Sequence, residues 1–338
     1  GQGNSVNITS STATNTNIAG NSGTAIFANA GVGGAIVRSG TASALGNNQS
    51  AIQVFSDGAV LLESTNASTT QTSDGLSVRS GTNVVINSGT VTTTGATGAR
   101  AIVVNVPNAP VAITSGTIST TGTNSTGMLI TGGTGAVTIT SGTILTPGAG
   151  SDGINLLGGT GAKTITSGTI AAGGFGITVS GGAIDVTTTG NTVSSASGAI
   201  LANGTNVAIK TAGTTASQAG NFAAINAFGI GSVTVDNAGL AQSSGITAAI
   251  QISATGATAG AATVTSDIST NTGTGAAIIA TGANGVTVTS NSASTANAGG
   301  NTIQATATTA GNAVVNSGII QGTARGNSIT AQSNNGTA

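Results

Sequence analysis

The sequence contains no Cys, His, Trp or Tyr, and charged residues make up 4% of its 338 positions. Without Cys or His there can be no disulfide, thiolate nucleophile or imidazole base, and the usual zinc ligands are missing, so no catalytic residue, metal or cofactor is expected. Six Lys and Arg are scattered as Arg38, Arg79, Arg100, Lys163, Lys210 and Arg325, against seven acids, for a net charge of −1. Cations dispersed in this way cannot neutralise a run of phosphates, which argues against nucleic acid as a partner. Pro is also scarce, at 3 residues. Disordered chains usually carry more Pro and more net charge, so the Gly, Ser, Thr and Asn abundant here point to an ordered chain of unusual composition. Aromatics are 1% and Gly numbers 56, so the core must be thin and built from light aliphatic side chains. No segment approaches the roughly 20 apolar residues of a spanning helix, and membrane insertion is not expected. The start, Gly1-Gln2-Gly3-Asn4-Ser5, has no basic stretch leading into an apolar one. A mature secreted chain fits this, as does one made without a signal.

What is present is a repeat. A small residue and an aliphatic one are followed, two positions after the aliphatic, by another apolar side chain. The aliphatic anchors are Ile26, Ile52, Leu76, Ile102, Met128, Ile154, Ile177, Ile200, Ile225, Ile250, Ile278, Ile303 and Ile329, separated by 23 to 28 residues. In Ile52-Gln53-Val54, Ile154-Asn155-Leu156 and Ile250-Gln251-Ile252 the side chains alternate inward, outward, inward, as in a half-buried strand. A second motif recurs as Val111-Ala112-Ile113-Thr114-Ser115-Gly116-Thr117-Ile118, and again over residues 84–91, 137–144 and 163–170. It reads as a strand, a Ser-Gly-Thr turn in which Gly supplies positive φ, and the start of a third strand. The expected fold is all-β: a single domain over residues 1–338 forming one parallel β-helix (β-solenoid). It has about 13 coils of about 25–26 residues, each with three short strands.

Candidate chemistry is sparse. Gly158-Gly159-Thr160-Gly161-Ala162-Lys163-Thr164 looks like a phosphate loop, but Ala162 stands where that motif needs Gly, and no helix follows. The seven acids are too dispersed for a catalytic pair, so no enzyme activity is expected. Asp74 and Arg100 share one coil position on successive coils, which predicts a surface ion pair on adjacent rungs. Thr138-Ile139-Thr140 and Thr164-Ile165-Thr166 stack outward Thr pairs on two rungs, the arrangement that resembles an ice-binding solenoid, kept as a remote alternative. More informative are apolar residues in the outward slot beside the anchors: Phe27, Val103, Leu129, Leu201 and Ile279 form a candidate lateral contact surface.

The Val-x-Ile-Thr-Ser-Gly-Thr-Ile units of residues 84–170 resemble the strand repeats of bacterial autotransporter passengers and filamentous surface adhesins. The resemblance implies a right-handed β-helix, secretion to the bacterial surface, and a role in adhesion, aggregation or matrix formation. It departs from a complete autotransporter in having repeat composition up to Ser333-Asn334-Asn335-Gly336-Thr337-Ala338, with no aromatic-girdled barrel, as a released passenger or separate subunit would. Residues 1–24 and 330–338 carry no charge, no helical period and no Pro, which predicts uncapped ends and head-to-tail stacking of copies. The alternative is a monomeric passenger adhesin whose partners are cell-surface glycans or like copies on other cells, although the Trp and Tyr platforms of glycan sites are missing.

Overall fold

The computed structural model describes residues 4–16, 23–47, 49–257, 260–296, 301–322 and 328–335. Arg325 and the stretches 1–3 and 336–338 lie outside them. The described residues form strands and turns and no helix. Contacts divide the chain into two compact units, Gly1–Gly174 and Phe175–Ala338.

In the first unit every anchor opens a short strand: Ile26–Ala30, Ile52–Ser56, Leu76–Ser80, Ile102–Val106, Met128–Gly132 and Ile154–Leu157. They pair in parallel with anchor on anchor, Ile26 beside Ile52, Ile52 beside Leu76, and so on to Met128 beside Ile154. This register is imposed by the alternation itself, since a slip of one residue would turn the buried Ile and Val outward. Between the short strands run long ones: Val6–Asn15, Ala35–Ala44, Val60–Thr69, Val84–Thr93, Val111–Thr120 and Val137–Thr146. The last coil carries two pieces, Lys163–Ser167 and Ile170–Ala172, both paired to Val137–Thr146.

The second unit repeats the scheme. Its short strands begin at Ile177, Ile200, Ile225, Ile250, Ile278, Ile303 and Ile329, again with anchor on anchor. Its other strands start as split pairs, Ile184–Thr188 with Thr192–Ser194 and Val207–Thr211 with Thr215–Ser217. They continue as the unbroken Val233–Ser243, Ala262–Asn271, Val286–Thr295 and Ala313–Gly322. Each unit is thus a parallel β-solenoid. The second and third segments expected of a coil are separate in some coils and joined through the corner in most.

The Ser-Gly-Thr corner works differently from the sequence expectation. Gly89, Gly116, Gly142 and Gly168 do not adopt positive φ. They are needed because the coils approach closely there. A Cβ on Gly116 would lie 2.7 Å from the carbonyl oxygen of Gly89, one on Gly142 2.7 Å from that of Gly116, and one on Gly168 2.7 Å from that of Gly142. The Ser of the motif is equally structural. Ser88, Ser115, Ser141 and Ser167 point inward, and their hydroxyls bridge rungs, with Ser88 Oγ donating to Ser115 Oγ at 3.1 Å and Ser141 Oγ to Ser167 Oγ at 3.0 Å. A buried hydroxyl is tolerated because its neighbour one coil away supplies the partner.

The core holds ladders of Ile, Val, Leu and Ala, with Met128 fully buried among them. Each buried Ile, Val, Leu or Met side chain contributes about 1.5–3 kcal/mol. Phe27, Phe55, Phe175, Phe222 and Phe228 all stay outside it, half-buried or exposed. Parallel strands facing each other across a narrow interior leave no room for a ring.

Candidate contact surfaces

The outward slot beside the anchor places the five apolar candidates as follows. Val103 and Leu129 are register partners on successive rungs, both half-buried, with Ser77 and Asn155 on the flanking rungs. Phe27, 51% exposed, sits beside Gln53. In the second unit Leu201 lies between Thr178 and Asn226, and Ile279 between Gln251 and Gln304. The structure therefore brings Val103 to Leu129, while Phe27, Leu201 and Ile279 each stand beside polar neighbours in their ladder.

The next outward slot, three residues past the anchor, holds a more concentrated set. Asn29, Phe55, Arg79 and Asn105 stack on four successive rungs of the first unit. A hollow of about 430 Å³ opens beside them, its rim completed by Asp57, Gly81 and Pro107. The Phe27 ring packs edge-on against Phe55, with centroids 5.8 Å apart and planes at 72°. Arg79 and Asp57 share this hollow, yet neither forms an ion pair or a side-chain hydrogen bond with any described residue. Hydropathy carries no signal for this slot, which mixes Asn, Phe and Arg. Only counting three residues on from Ile26, Ile52, Leu76 and Ile102 brings the four together.

Other charges are self-satisfied. Arg100 donates from Nε to Asp74 Oδ1 and from Nη2 to Asp74 Oδ2, both at 2.9 Å, while its backbone N–H donates to Asp74 Oδ1 at 3.2 Å. This is the adjacent-rung pair expected from the sequence, closed in a two-pronged geometry. Arg38 and Glu63, register partners one rung apart, meet at 2.7 Å in an open groove on the hollow side of the Ser-Gly-Thr bend. In the second unit Lys210 and Asp236 are likewise register partners. The Arg100→Gln substitution is expected to cost about 1 kcal/mol, an effect that fades in molar salt, whereas Arg38→Gln in its more exposed pair costs about 0–0.5 kcal/mol. Denaturation midpoints at low and high NaCl check both.

Lys163 is the oddest residue of the first unit. It occupies the inward slot of Val137 and Val111 on the preceding rungs, and no part of it is exposed. Its ammonium lies beside Gly132, which stands in register with the buried Val106. A Cβ there would come 3.9 Å from Lys163 Nζ. The ammonium finds one distant acceptor, the Gly135 carbonyl at 3.4 Å. Burial without an anionic partner lowers the Lys163 pKa from the ordinary lysine value. Pointing into the core, it cannot serve as the lysine of a phosphate loop, and the glycines before it form a coil corner.

The outward Thr pairs also fall in register, Thr138 beside Thr164 and Thr140 beside Thr166. A wider polar field lies past the corner, where Asn66 and Ser68, Thr90 and Thr92, and Thr117 and Ser119 follow one another on three rungs. Among the described residues no group of three or more acidic residues could hold a metal ion. Comparison with family models, with curated proteins and with solved structures finds no match.

Proposed function

We propose that this chain is a non-enzymatic extracellular structural protein of a bacterial surface, stacking head to tail into a filament or matrix fibre that supports adhesion or aggregation. The observation that carries the reading is the in-register parallel stacking of like coils within each unit, anchor on anchor from Ile26 to Ile154 and from Ile177 to Ile329, a ladder that a coil of a second copy can extend as an internal coil does. Val6 and Ile8 are only half-buried, although their ladder partners Ala35 and Val37 are fully buried. In the second unit Ile329 is 38% exposed while its partner Ile303 is at 0%. Apolar side chains left part-exposed in a parallel ladder can be covered by a strand of another copy added in register. A second copy placed in the same register would set its Val6 and Ile8 on Ala313 and Val315, and its Ile26 on Ile329. A net charge of −1 gives little repulsion against such stacking. The surface location rests on the likeness of the strand repeats to those of surface adhesins, and the absence of Cys suits a chain exported unfolded.

Sedimentation over a wide concentration range, with negative-stain imaging, tests the proposal. Mass is expected to grow with concentration and filaments to appear, and the double variant Ile8→Asp with Ile329→Asp is expected to sediment as a monomer. A parent chain that stays monomeric throughout overturns the reading.

A further inference from the structure

We infer that the hollow beside Asn29, Phe55, Arg79 and Asn105 is a binding site for a neutral linear oligosaccharide, laid along the rungs with one sugar ring on the Phe55 side chain. This goes beyond the stacking reading and does not depend on it.

Charged residues are 4% of the chain and aromatics 1%, yet Phe55, Asp57 and Arg79 line one concavity, and Phe27 braces the Phe55 ring. Elsewhere in this unit opposite charges on neighbouring rungs close on each other, as Asp74 does on Arg100 and Glu63 on Arg38. Asp57 and Arg79 do not, so each keeps its hydrogen-bonding capacity for something placed between them. A carboxylate only accepts and a guanidinium only donates, while Asn29 and Asn105 can do both. Hydroxyl groups, which also do both, match this set. Two opposite charges leave the hollow neutral, which favours an uncharged ligand over an anionic or cationic one.

The apolar component fits as well. The C–H face of a pyranose is the part of a sugar that packs on an aromatic ring, and Phe55 supplies that ring without needing a polar tip. A volume of about 430 Å³ falls within the range of small-molecule sites, about 300–1,000 Å³. Asn29 to Asn105 spans three rung spacings, roughly 14 Å at about 4.8 Å each. That length accommodates several sugar units in a row, so a polar side chain at each end can meet a different residue of the glycan.

Calorimetric titration of the whole chain with cellotetraose, mannotetraose and chitotetraose tests the site, with assembly scored separately by sedimentation. At least one tetrasaccharide is expected to bind with Kd no weaker than about 1 mM. Asp57→Asn, Arg79→Gln and Phe55→Ala should each weaken it about tenfold, as expected for loss of a charge-assisted hydrogen bond or a stacking face. Arg38→Gln, on the other surface, should leave it unchanged. All are surface substitutions, and retention of the β circular dichroism signal confirms the fold. Failure of all three sugars to bind at about 10 mM, or binding that survives both charge variants, overturns the assignment.

Discussion

Replacing Lys163 by Met is expected to raise the unfolding free energy at neutral pH by about 1–3 kcal/mol, because a buried ammonium without an anionic partner gives way to an apolar chain of similar size. The buried slot already holds a side chain of lysine length, so little repacking is needed. The ammonium gives up only one long contact, to the Gly135 carbonyl at 3.4 Å. The pH dependence follows from the direction of the shift. In the folded chain Lys163 loses its proton below the ordinary lysine range, while in the unfolded chain it keeps it up to about pH 10.4. Between those two values the unfolded state binds more protons, so the stability of the parent chain rises with pH across that window. Below the window the burial penalty is present in full. The Met variant has no such rise, and its advantage should shrink as the pH approaches about 10. Denaturant midpoints of parent and variant at several pH values check this. A parent chain whose stability does not climb faster than the variant's would show that the ammonium reaches solvent.

The second large effect is expected from Gly142→Ala, which should destabilise the first unit by about 1–3 kcal/mol through steric overpacking at the corner. The added methyl would meet the Gly116 carbonyl oxygen at 2.7 Å, a backbone atom that cannot swing aside. Relieving the contact means separating two coils, which stretches the ladder hydrogen bonds of the strands on both sides. Gly220→Ala is the control. Its Cβ would meet nothing within 4 Å and its φ is not left-handed, so the change should stay within about 0.5 kcal/mol or stabilise slightly through the unfolded state. Equal effects of the two substitutions would sink the close-approach explanation and return the corner to a conformational one.

These two residues mark where reading the sequence stops being sufficient. The period of the anchors located the short strands to the residue, because alternation with a fixed repeat admits one register. Position within the repeat likewise placed Asp74 next to Arg100. The reason for the corner glycine was not legible: sequence shows that Gly recurs, but positive φ and close backbone approach both select Gly, and only the distance between coils separates them. The repeat over residues 163–170 sets Lys163 in the strand slot of Val111 and Val137, yet nothing in hydropathy says that a lysine in a valine slot will follow that slot's direction inward.

The candidate contact residues show the same division. The slot next to the anchor stands out because Val103 and Leu129 are apolar, and apolarity is visible in a sequence. Asn29, Phe55, Arg79 and Asn105 share no property, so the ladder they form emerges only when the coils are laid on one another.

The sequence by itself determined the parallel solenoid, its coil length and the face each strand buries, because a repeat with an alternating pattern has one way to hide its aliphatic side chains from water. Only the tertiary structure decided why the corner must be glycine, that Lys163 turns into the core, and that Asp57 and Arg79 stay open while Arg38 closes on Glu63. Those outcomes depend on the few ångströms between one coil and the next, a distance that no single coil encodes.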